Sequence, residues 1–330
     1  MNHDTIENLY DIVDSIAMLL VEHANLCYLD ALCAASANIV TADVLQDVDT
    51  EVEIKLFSLG KQLNETEFEV EEVRKALQLA LLKGMKADHV PLDNITPDSI
   101  ALIIGYLLQK LVPSLDLLTL ADFTCGTGNL LTAVLNTISD DPAKIYGADV
   151  DYQMLELSKM MADMQDYDIQ FFHQSSARAM AIPKVDVIIG DLPIEGNVEA
   201  ADVNSELAVE GCNYLPYLLV ENHLKYLADD GYAIYVIGND FFSQEYAAKF
   251  HEILTSSAEV GMLLQLPESL FKDSSKQKNI LVIRKHGEGL IKVQEVLVAS
   301  IPDFGNIREF RAVLTKLENW IRVNEWARNY

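Results

Sequence analysis

A glycine-rich turn follows an apolar run and precedes a predicted helix, an arrangement that can hold a nucleoside. The turn is Asp122–Gly128, its glycines are Gly126 and Gly128, and the helix is predicted to start near Asn129. Glycines let the backbone approach a ligand closely, and the first turn of a helix offers free N–H groups. On its own, such a Gly-x-Gly segment is also compatible with a tight turn that binds nothing.

An acid at the end of the next apolar run strengthens the nucleoside interpretation. Asp149 comes about twenty residues after the turn, where a carboxylate can accept hydrogen bonds from both ribose hydroxyls. NAD is the obvious competing ligand, but its fingerprint needs a third small residue where this chain has Leu131. S-adenosylmethionine has no pyrophosphate and does not need that close helix approach. The sequence therefore favours S-adenosylmethionine as the cofactor.

Beyond residue 115, short apolar runs rich in β-branched residues alternate with stretches of helical length. This alternation predicts an α/β fold with a doubly wound, mostly parallel seven-stranded sheet. A polar loop joins the last two runs, so we expect them to form an antiparallel pair at the edge of the sheet. The predicted strands are Leu118–Ala121, Ile145–Ala148, Ile169–Phe172, Val185–Ile189, Tyr232–Ile237, Val260–Leu266 and Ile280–Arg284.

The N-terminal part of the chain shows helical periodicity instead. Its first apolar positions recur at the spacing of one helix face. Further helices are predicted from Thr41 and from Asn64, where Glu67 completes a start that resembles a capping box. We therefore expect an all-helical domain over residues 1–90 and a catalytic domain over residues 91–330.

The composition favours a cytoplasmic protein and argues against non-specific binding of nucleic acid by the whole surface. There are 24 basic and 51 acidic residues, a formal net charge of −27, which repels polyanions. The four cysteines include no Cys-x-x-Cys pair, so neither a zinc site nor a disulfide framework is expected. The acidic N-terminus is unlike a signal peptide, and no apolar run approaches the length of a membrane span.

The segment Asp-Phe-Thr-Cys-Gly-Thr-Gly-Asn-Leu-Leu at 122–131 resembles motif I of the N6-adenine-type DNA methyltransferases. Upstream, Ile-Thr-Pro-Asp at 95–98 is similar to that family's Thr-Pro element, which closes over the methionine end of the cofactor. Segments 145–149, 266–271 and 279–285 also match. The chain is most similar to modification subunits of type I restriction systems and to small stand-alone homologues in Gram-positive bacteria. The resemblance implies a class I methyltransferase fold with a Rossmann-like sheet.

The resemblance also implies which residues hold the cofactor and which serve the reaction. The family's signature after the fourth strand is Asn/Asp/Ser-Pro-Pro-aromatic, and Asp191-Leu-Pro-Ile194 stands at that place here. Asp191 would accept a hydrogen bond from an exocyclic amine, Pro193 would shape the neighbouring backbone acceptor, and no metal is implied. The residues implied for the cofactor are Thr96, Asp122, Thr124, Cys125, Gly126, Gly128, Asn129, Asp149, Val150 and Ser175.

Four residues depart from the family's pattern. Leu192 replaces the first proline of the signature, and Phe123 replaces a proline of motif I. Ser175 replaces an aspartate that faces the adenine amine, a task that Gln174 or Ser176 can share. Ile194 replaces the aromatic residue that stacks on a flipped base, an interaction worth roughly 1–3 kcal/mol per base. The candidates for a substitute ring are Tyr214, Tyr217, Phe241 and Phe242.

We expect an N-methyltransferase of the N6-adenine DNA type that acts on an exocyclic amine. One alternative is a catalytically weakened relative that binds S-adenosylmethionine as a sensor or a protein-interaction module. Another is a methyltransferase for a protein glutamine or a small-molecule amine. Contact with DNA is expected to be weak, through the basic loop 272–278 and the C-terminal region, since residues 271–330 carry eleven basic and seven acidic residues. A protein partner is the other expected contact.

Overall fold

The computed structural model describes residues 2–92, 95–112, 114, 118–139, 141–198, 203, 205–288, 293 and 295–328. Among these residues the helices, in chain order, are α1 (His3–Ala24), α2 (Tyr28–Thr41), α3 (Thr50–Asn64), α4 (Val70–Ala87), α5 (Asp98–Leu111), α6 (Asn129–Leu135), α7 (Tyr152–Asp163), α8 (Glu206–Val209), α9 (Leu215–Tyr226), α10 (Ala247–Ser257) and α11 (Ile307–Val323). The strands are β1 (Thr119–Asp122), β2 (Lys144–Asp149), β3 (Ile169–His173), β4 (Val185–Asp191), β5 (Leu227–Gly238), β6 (Ala258–Gln265), β7 (Lys278–Lys285) and β8 (Leu297–Ser300).

The chain divides into two compact units. The first consists of Met1–Thr96, Cys125–Asn136 and Asp151–Phe171, and the second of Pro97–Thr124, Thr137–Val150 and Phe172–Tyr330. The first unit is helical, and α1 packs against α2, α3 and α4 within it. Helix α7 adds buried side chains to the same apolar core. Helices α6 and α7, which follow β1 and β2 in the chain, thus belong to the helical unit.

The helices of the first unit begin and end at other residues than the sequence predicts. The sequence predicts a helix that begins at Thr41, but Thr41 is the last residue of α2. The helix ends there because Ala42 adopts a left-handed φ of 53° and its N–H donates to carbonyls of the last turn. Helix α4 begins later than Asn64, since Glu69 and Glu72 form the capping box. No single helix among the described residues is long and apolar enough to cross a membrane; α1 and α2 pass that test only as a pair bent by 115°.

The second unit is built on a mixed sheet with the strand order β3-β2-β1-β4-β5-β7-β6-β8. The sheet has eight strands and not the predicted seven, because Leu297–Ser300 pairs in parallel with β6. Strand β7 runs antiparallel to both β5 and β6. The predicted antiparallel pair therefore exists, but β8 and not that pair forms the edge of the sheet.

The strand order fixes where a ligand site can form. The chain passes from β1 to β2 and β3 on one side and then returns to β4 on the other side of β1. In such doubly wound sheets, ligands bind beyond the carboxyl ends of the strands where the order reverses. The carboxyl ends of β1, β2 and β4 are therefore the expected location of the site.

Candidate functional site

Three aspartates end three neighbouring parallel strands. Asp122 ends β1, Asp149 ends β2 and Asp191 ends β4. The register pairs Asp122 with Gly147 of β2 and with Ile189 of β4, so the other two acids each extend two residues further along their strands. We call the carboxyl ends of these strands the acidic edge.

Asp122 is the most deeply buried acid of this edge, with 1% of its surface exposed. Its Oδ1 accepts a hydrogen bond from the Thr124 N–H at 3.0 Å. Its Oδ2 is buried and has no hydrogen-bond partner within the described part of the chain. Burial, reinforced by the charges of Asp149 and Asp191, raises the pKa of the Asp122 carboxyl to about 8. A ligand with positive charge would supply the interaction that the protein does not.

The residues around Asp149 include an exposed apolar side chain and a buried amide. Val150 follows it directly and is 69% exposed. The N–H of Gln174 donates to the Asp149 carbonyl at 3.0 Å, which ties the segment after β3 to the end of β2. Ser175 is only partly buried at that place. The Nε2 of Gln174 is buried without a hydrogen-bond partner among the described residues. This amide N–H can therefore donate a hydrogen bond to a ring nitrogen of a ligand.

The glycine turn has the backbone that the sequence predicts. Gly126 and Gly128 adopt φ angles of 52° and 77°, in the left-handed region that favours glycine. A Cβ at Gly128 would lie 2.6 Å from the Ser158 Oγ and 3.0 Å from its Cα, so no larger residue fits there. The N–H of Gly128 donates to the carbonyl of Cys125, whose side chain is buried. The turn is therefore shaped by close backbone packing at its second glycine.

Asn129, the first residue of α6, is part of a buried hydrogen-bond network in the first unit. Its Nδ2 donates to the Thr96 carbonyl at 2.8 Å. Its Oδ1 accepts from the Arg74 Nη1 at 2.9 Å and from the Gln78 Nε2 at 3.1 Å. The Asn129 amide oxygen is thus used for structure. Arg74, which is 1% exposed and also bonded to Glu71, has no signal in the sequence beyond its place in a helical pattern.

The predicted cofactor residues are divided between the two units. Those in the second unit are Asp122, Thr124, Asp149, Val150 and Ser175. Those in the first unit are Thr96, Cys125, Gly126, Gly128 and Asn129. Within the second unit, Asp122 and Asp149 share the acidic edge with Asp191.

Asp191 is engaged by a lysine that the sequence places in a loop. The Nζ of Lys278 lies 2.6 Å from the Asp191 Oδ1, and the two side chains are 16% and 13% exposed. Lys278 is the first residue of β7, where it pairs with Gly238 of β5. The prediction that Lys278 belongs to a basic loop is therefore wrong. Lys272 and Lys276, by contrast, are exposed. Because β7 pairs with β5, Lys278 lies in a strand and contacts Asp191.

The two departures in the signature have different structural effects. Leu192 is 1% exposed, and its N–H donates to the Val236 carbonyl at 2.9 Å. Proline has no N–H and could not make this bond, so leucine extends the pairing of β4 with β5. Pro193 and Ile194 are only partly buried. The carbonyl of Ile194 accepts a hydrogen bond from the Tyr214 hydroxyl at 3.3 Å.

Two of the four candidate rings are accessible. Tyr217 and Phe241 are buried in the core of the second unit, where their rings meet edge to face at 4.9 Å. Tyr214 is partly buried and Phe242 is 39% exposed. Tyr214 and Phe242 are therefore the only two of the four that could contact a base. Phe123 is buried, and its ring packs edge to face against that of His223 with 5.2 Å between the ring centroids. The core therefore has space for a large ring at this position.

The acidic edge fits a cationic nucleoside. S-adenosylmethionine carries positive charge on its sulfonium and its α-ammonium, and its ribose offers two hydroxyls to an acid. Asp122 offers a buried oxygen without a partner in the described residues, and Asp149 ends the neighbouring strand. Opposite charge near a buried carboxylate favours its ionised form. The donor set therefore suits this cofactor.

Comparisons with known proteins give the family. Residues 94–315 match the N-6 DNA methylase family, and residues 7–85 match a domain described as the YtxK N-terminal helical domain. The chain is 32% identical to a protein named YtxK from Bacillus subtilis (strain 168), over 98% of this chain and 99% of that one.

Solved structures agree with this assignment. A Listeria monocytogenes protein assigned to the class I S-adenosylmethionine-dependent methyltransferases superposes with a TM-score of 0.85 at 29% identity, covering 97% of this chain and 99% of that one. A Vibrio vulnificus protein assigned as the modification subunit of a type I restriction enzyme shares the fold, with a TM-score of 0.62 at 16% identity over 81% of this chain and 60% of its own. Since the family match spans more than half of the residues, the chain belongs to the N-6 DNA methylase family of class I methyltransferases, with S-adenosylmethionine as its cofactor.

Proposed function

We propose that the chain transfers a methyl group to an exocyclic amine, and that this amine belongs to adenine in nucleic acid. The observation that carries the proposal is the position of Asp191, at the end of β4 and on the same acidic edge as Asp122 and Asp149. An acid there can accept a hydrogen bond from the amine and direct its lone pair. S-adenosylmethionine supplies the activated methyl group, so the protein's contribution is mainly to hold and orient the two reactants.

The cofactor-holding roles that we propose follow from the chemistry of each residue. Asp149 accepts hydrogen bonds from the ribose hydroxyls, and Val150 covers a face of the adenine ring. Gln174 offers the edge of that ring a donor from its amide, and Ser175 a hydroxyl. Asp122 attracts the positively charged methionine end through its Oδ2, which has no partner in the described part of the chain.

Nucleic acid as the acceptor is supported by the family and by the local distribution of charge. Lys272 and Lys276 are exposed between β6 and β7, close in sequence to the lysine that contacts Asp191. Helix α11 adds exposed basic side chains from the C-terminal region. Phosphate contacts of this kind position a substrate without reading its sequence, so the proposal implies weak specificity or a partner that supplies it.

A second candidate function is a cofactor-binding module without turnover. The observation that favours it is the Lys278–Asp191 ion pair, which occupies an oxygen of the carboxylate that should receive the amine. The absence of an aromatic side chain at Ile194 points the same way. Such a module would bind S-adenosylmethionine and signal through a protein partner.

Transfer of a labelled methyl group separates these functions. The chain is incubated with labelled S-adenosylmethionine and, in parallel, with DNA, RNA, cellular protein or small amines, while calorimetry measures cofactor affinity. We expect labelled N6-methyladenine, a loss of at least about 100-fold in Asp191→Ala, and unchanged cofactor affinity in that variant. Asp229→Ala, an exposed acid of the second unit, is the matched control. Cofactor binding without transfer to any acceptor would support the module, and label in protein or small amines alone would move the acceptor.

A further inference from the structure

The first unit contains a cavity of about 300 Å³ that plays no part in the proposed reaction. Its apolar wall comes from Ile16 of α1, from Val44 after α2, and from Leu56 and Phe57 of α3. Ile16 and Leu56 are buried, whereas Phe57 is 52% exposed. Cavities of this size are at the lower limit of those that hold a small ligand. One large apolar side chain inserted from outside also fits such a volume.

A glycine of α3 lies at the wall of this cavity. Gly60 lines the cavity, and a Cβ added to it would meet no atom within 4 Å. Its φ is not positive, so the backbone does not require glycine. Glycine inside a helix costs about 0.5–1 kcal/mol relative to alanine. Neither a positive φ nor a close neighbour accounts for glycine at this position, and there is open space for a larger side chain there.

The segment that joins two walls of the cavity is acidic. Between residues 43 and 54 the chain carries five acids and no lysine or arginine, and all five are exposed. These acids, which we call the acidic rim, are Asp43, Asp47, Asp49, Glu51 and Glu53. Of these five acids, Asp43 lines the cavity itself, and Glu51 is paired with Lys55 at 2.8 Å. The lining also contains Lys61, which lies 3.5 Å from Glu65, so that pair adds no net charge. Phosphates and carboxylates would be repelled here, while lysine and arginine side chains would be attracted.

Further exposed apolar side chains lie close in sequence to residues that line the cavity. Val40 and Leu45 are 53% and 57% exposed on either side of the turn after α2, and Ile54 of α3 is 64% exposed. Ile54 precedes Phe57 by three residues, so the two lie on one face of the helix. Exposed apolar side chains and exposed acids in one segment are complementary to a helix with one apolar and one basic face.

We infer that this cavity is a docking site for a basic amphipathic segment of a partner protein. The segment inserts one large apolar side chain into the cavity beside Phe57 and Gly60, and its lysine and arginine side chains face the acidic rim. This site is independent of the methyltransferase reaction, because every residue named for it belongs to the first 65 residues of the helical unit.

The test uses the full chain and a defined probe. The probe is a fluorescein-labelled helical peptide of leucine and lysine, about 15 residues long, and its binding is followed by fluorescence anisotropy. Two matched peptides replace every lysine by glutamate or every leucine by serine. We expect binding of the leucine–lysine peptide, and at least about tenfold weaker binding of both matched peptides.

Variants of the chain then locate the binding. Gly60→Phe fills the cavity and is expected to weaken peptide binding at least about tenfold, with the melting temperature unchanged or higher because helix propensity improves. Gly305→Phe is the matched control, since a Cβ there also meets nothing within 4 Å, and it should bind as the parent does. Asp47→Lys combined with Asp49→Lys changes only exposed side chains and should also weaken binding about tenfold, which provides a second test if Gly60→Phe does not fold.

Three results would overturn the inference. The first is equal binding of the leucine–glutamate peptide, and the second is parental affinity in a folded Gly60→Phe variant or in the charge-reversed variant. The third is a dimer of the chain, detected by light scattering, that Gly60→Phe dissociates, because a second copy would then be the occupant.

Discussion

Two parts of one sheet edge carry the acids of the site, and their surroundings differ. At the ends of β1 and β2, Asp122 keeps a buried oxygen without a partner among the described residues, and Val150 is exposed. At the end of β4, Asp191 is already held by the ammonium of Lys278. After the roles that we propose for them, we call the first part the cofactor edge and the second the acceptor edge.

The difference implies that the protein already satisfies the carboxylate proposed for the acceptor amine more fully than the one proposed for the cofactor. A cation that binds at the cofactor edge gains an interaction with Asp122 and displaces no protein group from that oxygen. The amine that we propose for the acceptor edge would meet a carboxylate whose Oδ1 already lies 2.6 Å from an ammonium. A hydrogen bond to a charged group is worth about 1.5–3 kcal/mol, so this competition can lower turnover without affecting cofactor binding. Variants at each edge should therefore change different measured quantities.

The largest effect is expected from Asp149→Ala at the cofactor edge. We propose that Asp149 accepts two hydrogen bonds from the ribose, so its loss should weaken S-adenosylmethionine binding about 100-fold, or about 2.7 kcal/mol. Isothermal titration calorimetry on the full chain measures this directly. Asp229→Ala, whose side chain is 73% exposed, controls for the loss of one negative charge and should bind normally. Unchanged affinity in Asp149→Ala would mean that the ribose is held elsewhere.

A smaller effect is expected from removal of the ion pair at the acceptor edge. The double variant Asp191→Asn with Lys278→Met leaves no unpaired charge and keeps an amide oxygen, which the family's signature also accepts at this position. Methyl transfer should rise about tenfold, because the amine no longer competes with the lysine. The exposed pair Lys184–Asp229, changed to Met and Asn in the same way, is the control. A fall in transfer instead would show that Lys278 assists the reaction.

Restoring an aromatic side chain in the signature should have a modest effect. Ile194→Tyr adds a ring where the family stacks one on the base, and stacking is worth roughly 1–3 kcal/mol. Because Ile194 is partly enclosed and the orientation of the ring is not pre-set, we expect the KM for nucleic acid to fall only about fivefold. The value of kcat should stay unchanged. Ile194→Leu is the matched control, and an equal change in that variant would exclude stacking as the cause.

The sequence predicted the positions of the acids at the cofactor edge but not the ion pair at the acceptor edge, because the signals of the cofactor edge are local. Strand, glycine turn, helix and acid follow one another within residues 119–149, so their order alone places Asp149 beside Asp122. Lys278 lies 87 positions after Asp191, and only the pairing of β7 with β5 brings them together. No periodicity in either segment encodes that contact.

Other features of the structure that the sequence did not predict also depend on short segments or on contacts between distant residues. Strand β8 has only four residues, with alternating buried and exposed side chains, which is too short for a pattern to separate it from a loop. The bond from Leu192 to Val236 depends on a partner strand and is visible only in the fold. The network of Arg74, Gln78 and Asn129 spans α4 and α6, so the sequence could place Asn129 at a helix start but could not show that its oxygen is occupied.

The smallest expected effect is the release of a proton from Asp122 when the cofactor binds. The pKa of the Asp122 carboxyl is raised to about 8, chiefly by burial, so near pH 7 the group is mostly protonated in the cofactor-free protein. A cationic ligand stabilises the ionised form and lowers this pKa. Binding at pH 7 should therefore release a fraction of one proton. Calorimetry in phosphate and in Tris, whose ionisation enthalpies differ, measures that fraction.

The same shift predicts how stability depends on pH. A folded-state pKa above the ordinary value of 3.8 means that this group's contribution to the free energy of unfolding is fully present below about pH 4 and is lost as pH rises to about 8. Asp122→Asn removes the titrating group and keeps an oxygen for the Thr124 N–H. It should release no proton on cofactor binding, and its stability should decline less than the parent's between pH 4 and 8. Equal proton release in both proteins would assign the proton to another group and would remove the main electrostatic difference between the two edges.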